Sequence, residues 1–450
     1  MSLAESERTT LTQLRERIET GEAVIGVLGL GYVGLPVACT FAEAEFEVVG
    51  LDLKPDRIEL INAGRSPIEG NEPGLADLLA DVVATGRLRA TTDYAALRGA
   101  DVVTINVETP VDADHKPRYE ALRAACRALG QVLKEGALVI VESTISPGTM
   151  DRVVGPLLEE VTGRKVNEGF FLGHCPERVM PGKLLANLRN VSRVCGGSTP
   201  ETAETMVALY HRIVRAELDP ADCVTAELVK TAENAYRDVQ IAFANEVALI
   251  CEDVGADVWK VRELVNKSPG RQMHKPGAGV GGHCIPKDPW LLAAGASERT
   301  PLRIIPAARA VNDGMPLHVA DLVVEALREA GREIAGARVL VLGYAYLENS
   351  DDTRNSPSEA LVARLCELGA EVAIHDPFVR DHQGSALARA QKSDALVVMT
   401  AHSHYQLLTL VDLVELMRTR VLVDGRRVFE LADAKSAGLV FRTVGRTKVE

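Results

Sequence analysis

The stretch AVIGVLGLGYVGLPVACTFAEAEFEVVGLDLKPDRIELI, residues 23–61, decides the fold. It begins with an apolar run, passes Gly29, Gly31 and Gly34 into a second apolar segment, and ends a further apolar run at Asp52. Unbroken apolar runs suit strands covered on both faces, as in a parallel sheet flanked by helices. The glycines stand in the spacing G-x-G-x-x-G between strand and helix. There the first permits a tight turn, the second admits a pyrophosphate to the backbone, and the third brings helix against strand. The helix N-terminus then faces the phosphates. Asp52 follows Gly29 by 23 residues, where a carboxylate accepts the ribose hydroxyls of NAD. A 2′-phosphate beside it would cost about 1–4 kcal/mol per charge pair. Lys54 and Arg57 soften that penalty, so the pattern predicts NAD over NADP, with Asp52 and Arg57 at the cofactor. A purely structural glycine turn is the competing reading.

The rhythm continues through ADVVTINVETP (100–110), YEALRAACRALGQVL (119–133) and ALVIVESTISPGT (137–149), giving a doubly wound α/β domain to about residue 210. The texture then changes. Residues 223–254 contain neither Gly nor Pro and are apolar-periodic, which predicts one long helix. More helix is expected before residue 277 and across 301–331. At 337–378 a second strand–turn–helix–strand–Asp unit follows, with Gly343 and Asp376 echoing Gly29 and Asp52. One glycine of three recurs, so a smaller nucleotide fits there better than a dinucleotide. The expected fold class is α/β: two Rossmann-like doubly wound domains joined by a long central helix and a helical middle region. The expected division is a leader or helix at 1–21, an NAD-binding domain at 22–212, a central helical domain at 213–315 and a C-terminal α/β domain at 316–450.

Composition narrows the function. With 63 acidic against 50 basic residues the net charge is −13, which argues against a nucleic-acid surface. No apolar run approaches the roughly 18 residues that span a bilayer. Residues 1–23 lack the apolar core of a signal peptide, and the first of them read as a disordered leader or an added remnant. The eight cysteines form no CxxC pair and the ten histidines no cluster; a reduced, cytoplasmic enzyme without a metal is expected.

One cysteine stands apart. In GAGVGGHCIPKDPWLL (277–292), Cys284 follows Gly277, Gly279, Gly281 and Gly282 and precedes Pro286 and Pro289. The backbone is pliant before the thiol and stiff after it, with Lys287 and Asp288 adding charge of both signs. A thiol of pKa about 8.5 becomes a nucleophile at neutral pH when cations lower it. An inert loop residue is the alternative. Cys39, Cys126 and Cys366 lie in apolar helical contexts and read as packing residues.

GVGGHCIPKDP, CPERVMPGKLL (175–185), VKTAENAYRDVQIAFANE (229–246) and LVDGRRVF (422–429) together resemble the UDP-glucose/GDP-mannose dehydrogenase family, over about Val24 to Val428. Within it, CPERVMPG and PGAGVGGHCIPKDPW are most similar to UDP-N-acetyl-D-mannosamine 6-dehydrogenases. The resemblance implies oxidation of a UDP-sugar at C6 from alcohol to carboxylate, by two NAD in succession, through a thiohemiacetal and thioester on Cys284. It makes Lys230 the residue that steadies the C6 oxygen, Asn234 its hydrogen-bonding partner one turn on, and Asp288 an orienting carboxylate. Thr144 stands near the reacting carbon and the nicotinamide. Tyr32, Val33, Thr109, Lys287 and Arg354 become further cofactor contacts. Glu177, Arg178, Val179, Gly279 and Tyr346 become substrate contacts, with Arg426 at the UDP end and Arg271 reaching across a dimer interface. Arg237 completes an i, i+4, i+7 stripe with Lys230 and Asn234, which without the resemblance reads as a solvated face. The chain departs from the family pattern at Glu108, at Leu347, at the register of Arg271, and near Pro181, where an acidic residue is replaced. A homodimer through the long helix is implied. UDP-N-acetylglucosamine and UDP-glucose stay open as substrates. A single-oxidation β-hydroxyacid-type dehydrogenase and a non-catalytic NAD-binding protein stay open as functions.

Overall fold

A computed structural model describes residues 3–446 except 69 and 71; the ends of the expected leader and of the expected C-terminal domain lie outside the described residues. The chain divides into two compact units, Met1–Glu233 with Trp290–Thr300, and Asn234–Pro289 with Pro301–Glu450.

The first unit carries strands β1 (Val24–Leu28), β2 (Glu47–Leu51), β3 (Leu88–Thr91), β4 (Val102–Ile105), β5 (Leu138–Val141), β6 (Phe171–His174), β7 (Arg193–Gly197) and β8 (Leu218–Asp222). They form one sheet in the order β3-β2-β1-β4-β5-β6-β7-β8. Every pairing is parallel except β6 with β7. The expected buried runs are observed: β4 and β5 are buried at every residue. The strand order reverses between β1 and β4, which opens a crevice beyond their carboxyl ends.

Leu3–Thr20 is helical, and Leu11, Leu14 and Ile18 are buried in the core of this unit. Their i, i+3, i+7 spacing builds one apolar face, and Arg17 anchors the helix on Asp101 at 2.8 Å. That face was too short, and too interleaved with charge, to stand out in the sequence.

The second unit carries β9 (Arg338–Leu342), β10 (Glu371–His375), β11 (Ala395–Val398), β12 (Val421–Asp424) and β13 (Val440–Thr443), in the all-parallel order β10-β9-β11-β12-β13. The predicted repeat is real at atomic detail. Asp52 Oδ2 accepts the Leu30 amide at 2.9 Å, and Asp376 Oδ2 accepts the Tyr344 amide at 2.7 Å. Each acidic strand end thus ties down the turn after the neighbouring strand. The long helix is Cys223–Val254, and the helix predicted within 301–331 is Ile304–Glu329.

Candidate functional site

In the first unit the glycine turn is built as its spacing requires. Gly29 has φ 84°, and a Cβ there would lie 2.6 Å from the Asn106 carbonyl; one at Gly34 would overlap the Gly29 carbonyl. A Cβ at Gly31 would meet nothing within 4 Å, so that backbone face is open to a ligand. Tyr32 and Val33 lie half-buried against the core beside it. This cradle at the mouth of the sheet crevice fits the pyrophosphate of NAD.

Asp52 is more committed than its motif suggests. It is buried, and its carboxylate accepts from Leu30 N, from Lys54 N at 3.0 Å and from Arg57 Nη1 at 2.7 Å. Arg57 is therefore neutralised by Asp52 and is not a spare cation for a 2′-phosphate.

Thr109 and Thr144 come together, the Thr109 hydroxyl donating to the Thr144 carbonyl at 2.6 Å. Two residues on, the Ser146 amide donates to the Tyr119 hydroxyl at 2.8 Å. Glu108, the first departure, is exposed.

The CPERV segment turns its charges inward. Glu177 is buried and pairs at 2.9 Å with Arg193, which is itself fully buried. Arg193 also faces Glu142 at 3.8 Å, and Glu142 accepts from Tyr210 at 2.7 Å and from Asn106 at 2.7 Å. A buried polar chain thus runs from the glycine turn, through Asn106, Glu142 and Arg193, to Glu177. Arg178 pairs with Glu233 and donates to the Ser192 carbonyl at 2.7 Å. Val179 packs on the core. Glu177 and Arg178 therefore reach their partners within the protein. Glu72, absent from the expected set, accepts from the Tyr32 hydroxyl and from the Gly182 amide at 2.8 Å, joining the glycine turn to this segment.

Lys230 is buried. Near it, His174 is fully buried and donates from Nδ1 to the Val141 carbonyl at 2.8 Å. Burial first, and Lys230 to a lesser extent, push its pKa down to about 3 against the pull of that carbonyl, so the imidazole is neutral.

In the second unit Cys284 is exposed. The Asp288 and Lys287 amides both donate to its carbonyl, at 2.8 and 3.1 Å, winding the chain into the following helix. Asp288 is buried; its Oδ2 accepts from Asn234 at 2.5 Å and its Oδ1 stands 3.5 Å from Lys287 Nζ. Arg354 pairs with Asp352 through Nε at 2.9 Å, and its carbonyl accepts the Gly282 amide at 2.9 Å. Burial and Asp352 push the Tyr346 phenol up to about 12, with a smaller push from the Cys284 sulfur. Tyr346 and Arg354 thus bear electrostatically on the thiol, and Lys287 and Asp288 follow it in the same turn of chain.

The glycines of this loop are there for close packing rather than pliancy. A Cβ at Gly281 would lie 2.6 Å from Tyr346 Cβ and 2.8 Å from the Asn355 carbonyl. Gly279, expected at the substrate, is buried with φ 114°, and a Cβ there would lie 3.0 Å from Pro316 and Pro357. Arg426, expected at the UDP end, donates to the Gly279 carbonyl at 2.9 Å and the Met399 carbonyl at 2.8 Å, and so braces the loop. Leu347 is half-buried.

Arg237, Arg271 and Cys366 are exposed, and for Cys366 this corrects the packing role expected of it. The buried face of the long helix continues through Asp238 and Asn245. At 100° per residue Glu227, Asn234, Asp238 and Asn245 fall within about 40° of one another, whereas Arg237 lies about 60° from Asn234 on the far side of Lys230. Arg271 is exposed and donates to the nearby Pro269 carbonyl at 3.1 Å. Cys366 is exposed rather than packed, because Leu361 and Leu365 occupy the buried face of its helix.

The buried face of the long helix holds two residues that carried no signal in the sequence. Asn245 accepts the Gly277 amide at 2.9 Å and donates to Asn312 at 2.9 Å. Asn312 in turn donates at 2.8 Å to Asp238, which pairs with Arg309 at 2.6 Å. Glu227 grips the loop after Thr144. No helix among the described residues is long and apolar enough to cross a membrane.

Comparison with known proteins gives one consistent answer. Family models described as the NAD binding, central and UDP binding domains of the UDP-glucose/GDP-mannose dehydrogenase family match residues 23–214, 224–314 and 340–431. A UDP-N-acetyl-D-mannosamine dehydrogenase from Pyrococcus horikoshii is 39% identical over 94% of this chain and 100% of its own length. The solved structure of UDP-D-ManNAc dehydrogenase from that organism has a TM-score of 0.89, covering 94% of this chain and 99% of the other. The structure of an NDP-N-acetyl-D-galactosaminuronic acid dehydrogenase from Methanosarcina mazei has a TM-score of 0.87 at 37% identity, covering 97% and 98%.

Proposed function

The chain belongs to the UDP-glucose/GDP-mannose dehydrogenase family and is an NAD-dependent nucleotide-sugar dehydrogenase; from that premise we propose that it oxidises C6 of UDP-N-acetyl-D-mannosamine, giving UDP-N-acetyl-D-mannosaminuronate. The observation that carries the mechanism is Cys284, exposed on a braced loop with Asp288, Lys287, Arg354 and Tyr346 about it. The similarity to the Pyrococcus horikoshii enzyme supports the sugar. The Methanosarcina mazei likeness favours an N-acetylgalactosamine-type sugar as the second reading.

NAD, bound at the glycine turn, supplies a hydride acceptor for each of the two oxidations. Thr144 and Lys230 bear on the first. Lys230, or a water it holds, takes the alcohol proton or steadies the alkoxide while C6 loses hydride. The Cys284 sulfur then adds to the aldehyde carbon, forming a C–S bond, and a proton passes to the oxygen. The second hydride leaves that thiohemiacetal and yields a thioester, which water cleaves to carboxylate and thiol. Overall one alcohol, one water and two NAD give one carboxylate, two NADH and three protons. Covalent capture keeps a reactive aldehyde aligned, an advantage of order 7–11 kcal/mol for a well-oriented intramolecular step. Asn234 and Lys287 orient Asp288 beside the thiol.

The division 22–212, 213–315 and 316–450 would then separate cofactor binding, thiol chemistry and UDP binding. A homodimer through the long helix is supported by its exposed Tyr236, Phe243 and Ile250, seven residues apart. We also propose a cytoplasmic location, from eight scattered cysteines whose spacing forms no CxxC pair and no disulfide framework. The mechanism is tested by rapid mixing of the Cys284→Ala variant with NAD and the sugar. It should release no carboxylate beyond background, while the unaltered enzyme makes two NADH per sugar; normal carboxylate from the variant would refute the thiol's role. Initial rates across a panel of UDP-sugars test the substrate.

A further inference from the structure

Glu227 lies three residues before Lys230, on the adjoining turn of the same helix. It is fully buried. Its Oε2 accepts the Gly148 amide at 2.5 Å and its Oε1 the Met150 amide at 2.8 Å, bonds that span 79 and 77 residues of chain. The loop it grips is the one that carries Thr144. That loop is fixed at its other end by Thr109 on the Thr144 carbonyl and at its middle by Tyr119 on Ser146. On the helix side, the Thr231 hydroxyl donates to the Glu227 carbonyl at 2.8 Å. One carboxylate therefore sets the register between two segments, each bearing a residue assigned above to the first oxidation.

We propose that Glu227 is a positioning residue for that oxidation: by clamping the Gly148 and Met150 amides it holds the helical turn of Lys230 against the loop of Thr144. The inference rests on the reading of Lys230 given above.

A buried carboxylate is a costly way to satisfy two neutral amides, since its charge must be stripped of water. Burial, and Asp151 more weakly, push the Glu227 carboxyl up to about 7, against the pull of the Met150, Gly148 and Thr149 amides. Cys223 and Lys230 are titratable groups on the same helix, and Cys223 couples to it electrostatically. Protonation takes the charge from both oxygens and leaves one of them a poor acceptor for its loop amide, so the clamp loosens as pH falls through neutrality.

The test is Glu227→Gln in the full-length enzyme, with thermal unfolding measured alongside. kcat should fall about tenfold, the kinetic equivalent of one weakened hydrogen bond, with KM for NAD and sugar held within about twofold. The fall in kcat on acidification through pH 7 should flatten in the variant. With Lys230→Ala already present, Glu227→Gln should change kcat no further, because it acts through Lys230. Glu227→Asp, which keeps the charge but withdraws it by a methylene, gives the same split if the Gln variant does not accumulate. An undiminished kcat, or an effect that adds in full to a crippling Lys230→Ala, overturns the positioning role alone. A Lys230→Ala enzyme of normal kcat overturns the reading of Lys230 and this inference with it.

Discussion

Gly282→Ala probes the brace beneath the thiol. Gly282 has φ 97°, and its new Cβ would lie 2.8 Å from Tyr346 Cε2 and Cζ, two residues before Cys284. Carbon atoms pack at about 3.5–4.0 Å, so the ring must move, at about 1–3 kcal/mol for overpacking. Left-handed backbone adds about 1–2 kcal/mol for a residue with a side chain. The expected loss is then about 2–5 kcal/mol, read as a fall in Tm of about 2–4 °C per kcal/mol for a unit of this size. Removing the ring separates the two terms. In a double-mutant cycle with Tyr346→Ala the steric part should reappear as about 1–3 kcal/mol of favourable coupling, while the backbone part persists. A Gly282→Ala protein with the parent Tm, or a cycle without coupling, would show that the loop does not rest on Tyr346 and that the glycines serve mobility after all.

Two further outcomes follow from buried polar groups in the second unit. Asn245→Ala strands the Gly277 amide and the Asn312 carboxamide oxygen, each worth about 1–3 kcal/mol when left unpaired. The denaturant midpoint should drop and the Gly277 amide should exchange faster with solvent; an unchanged midpoint and exchange rate would contradict the network. Asp394 is buried. Burial alone would raise its pKa, yet Arg418, the Arg338 amide and Thr419 together lower it from 3.8 to about 2. A carboxyl lowered on folding stabilises above its unfolded value and loses that contribution as pH falls through the folded one, roughly 2 kcal/mol here. Chemical denaturation from pH 5 to pH 2 should show a steeper loss for the parent than for Asp394→Asn; parallel curves would refute the assignment.

The sequence by itself determined whatever depends on neighbours along the chain. The apolar runs of β1, β4 and β5, the glycine turn, the Gly- and Pro-free helix 223–254, the exposure of Cys284 and the family motifs are of this kind. Side-chain period, turn chemistry and helix breakers act over a few residues and leave their mark in composition. Only the tertiary structure decided where the charged groups spend themselves. Glu177 turns to Arg193, Arg178 to Glu233 and Arg426 to the carbonyls of Met399 and Gly279, while Asp238 rather than Arg237 faces inward. Glu72, Glu227 and Asn245 were illegible for a common reason: their partners are main-chain amides 110, 79 and 32 residues away. Every residue but proline offers the same N–H, so a side chain that captures a distant one leaves no spacing or composition to read. It becomes visible only when folding brings the two together.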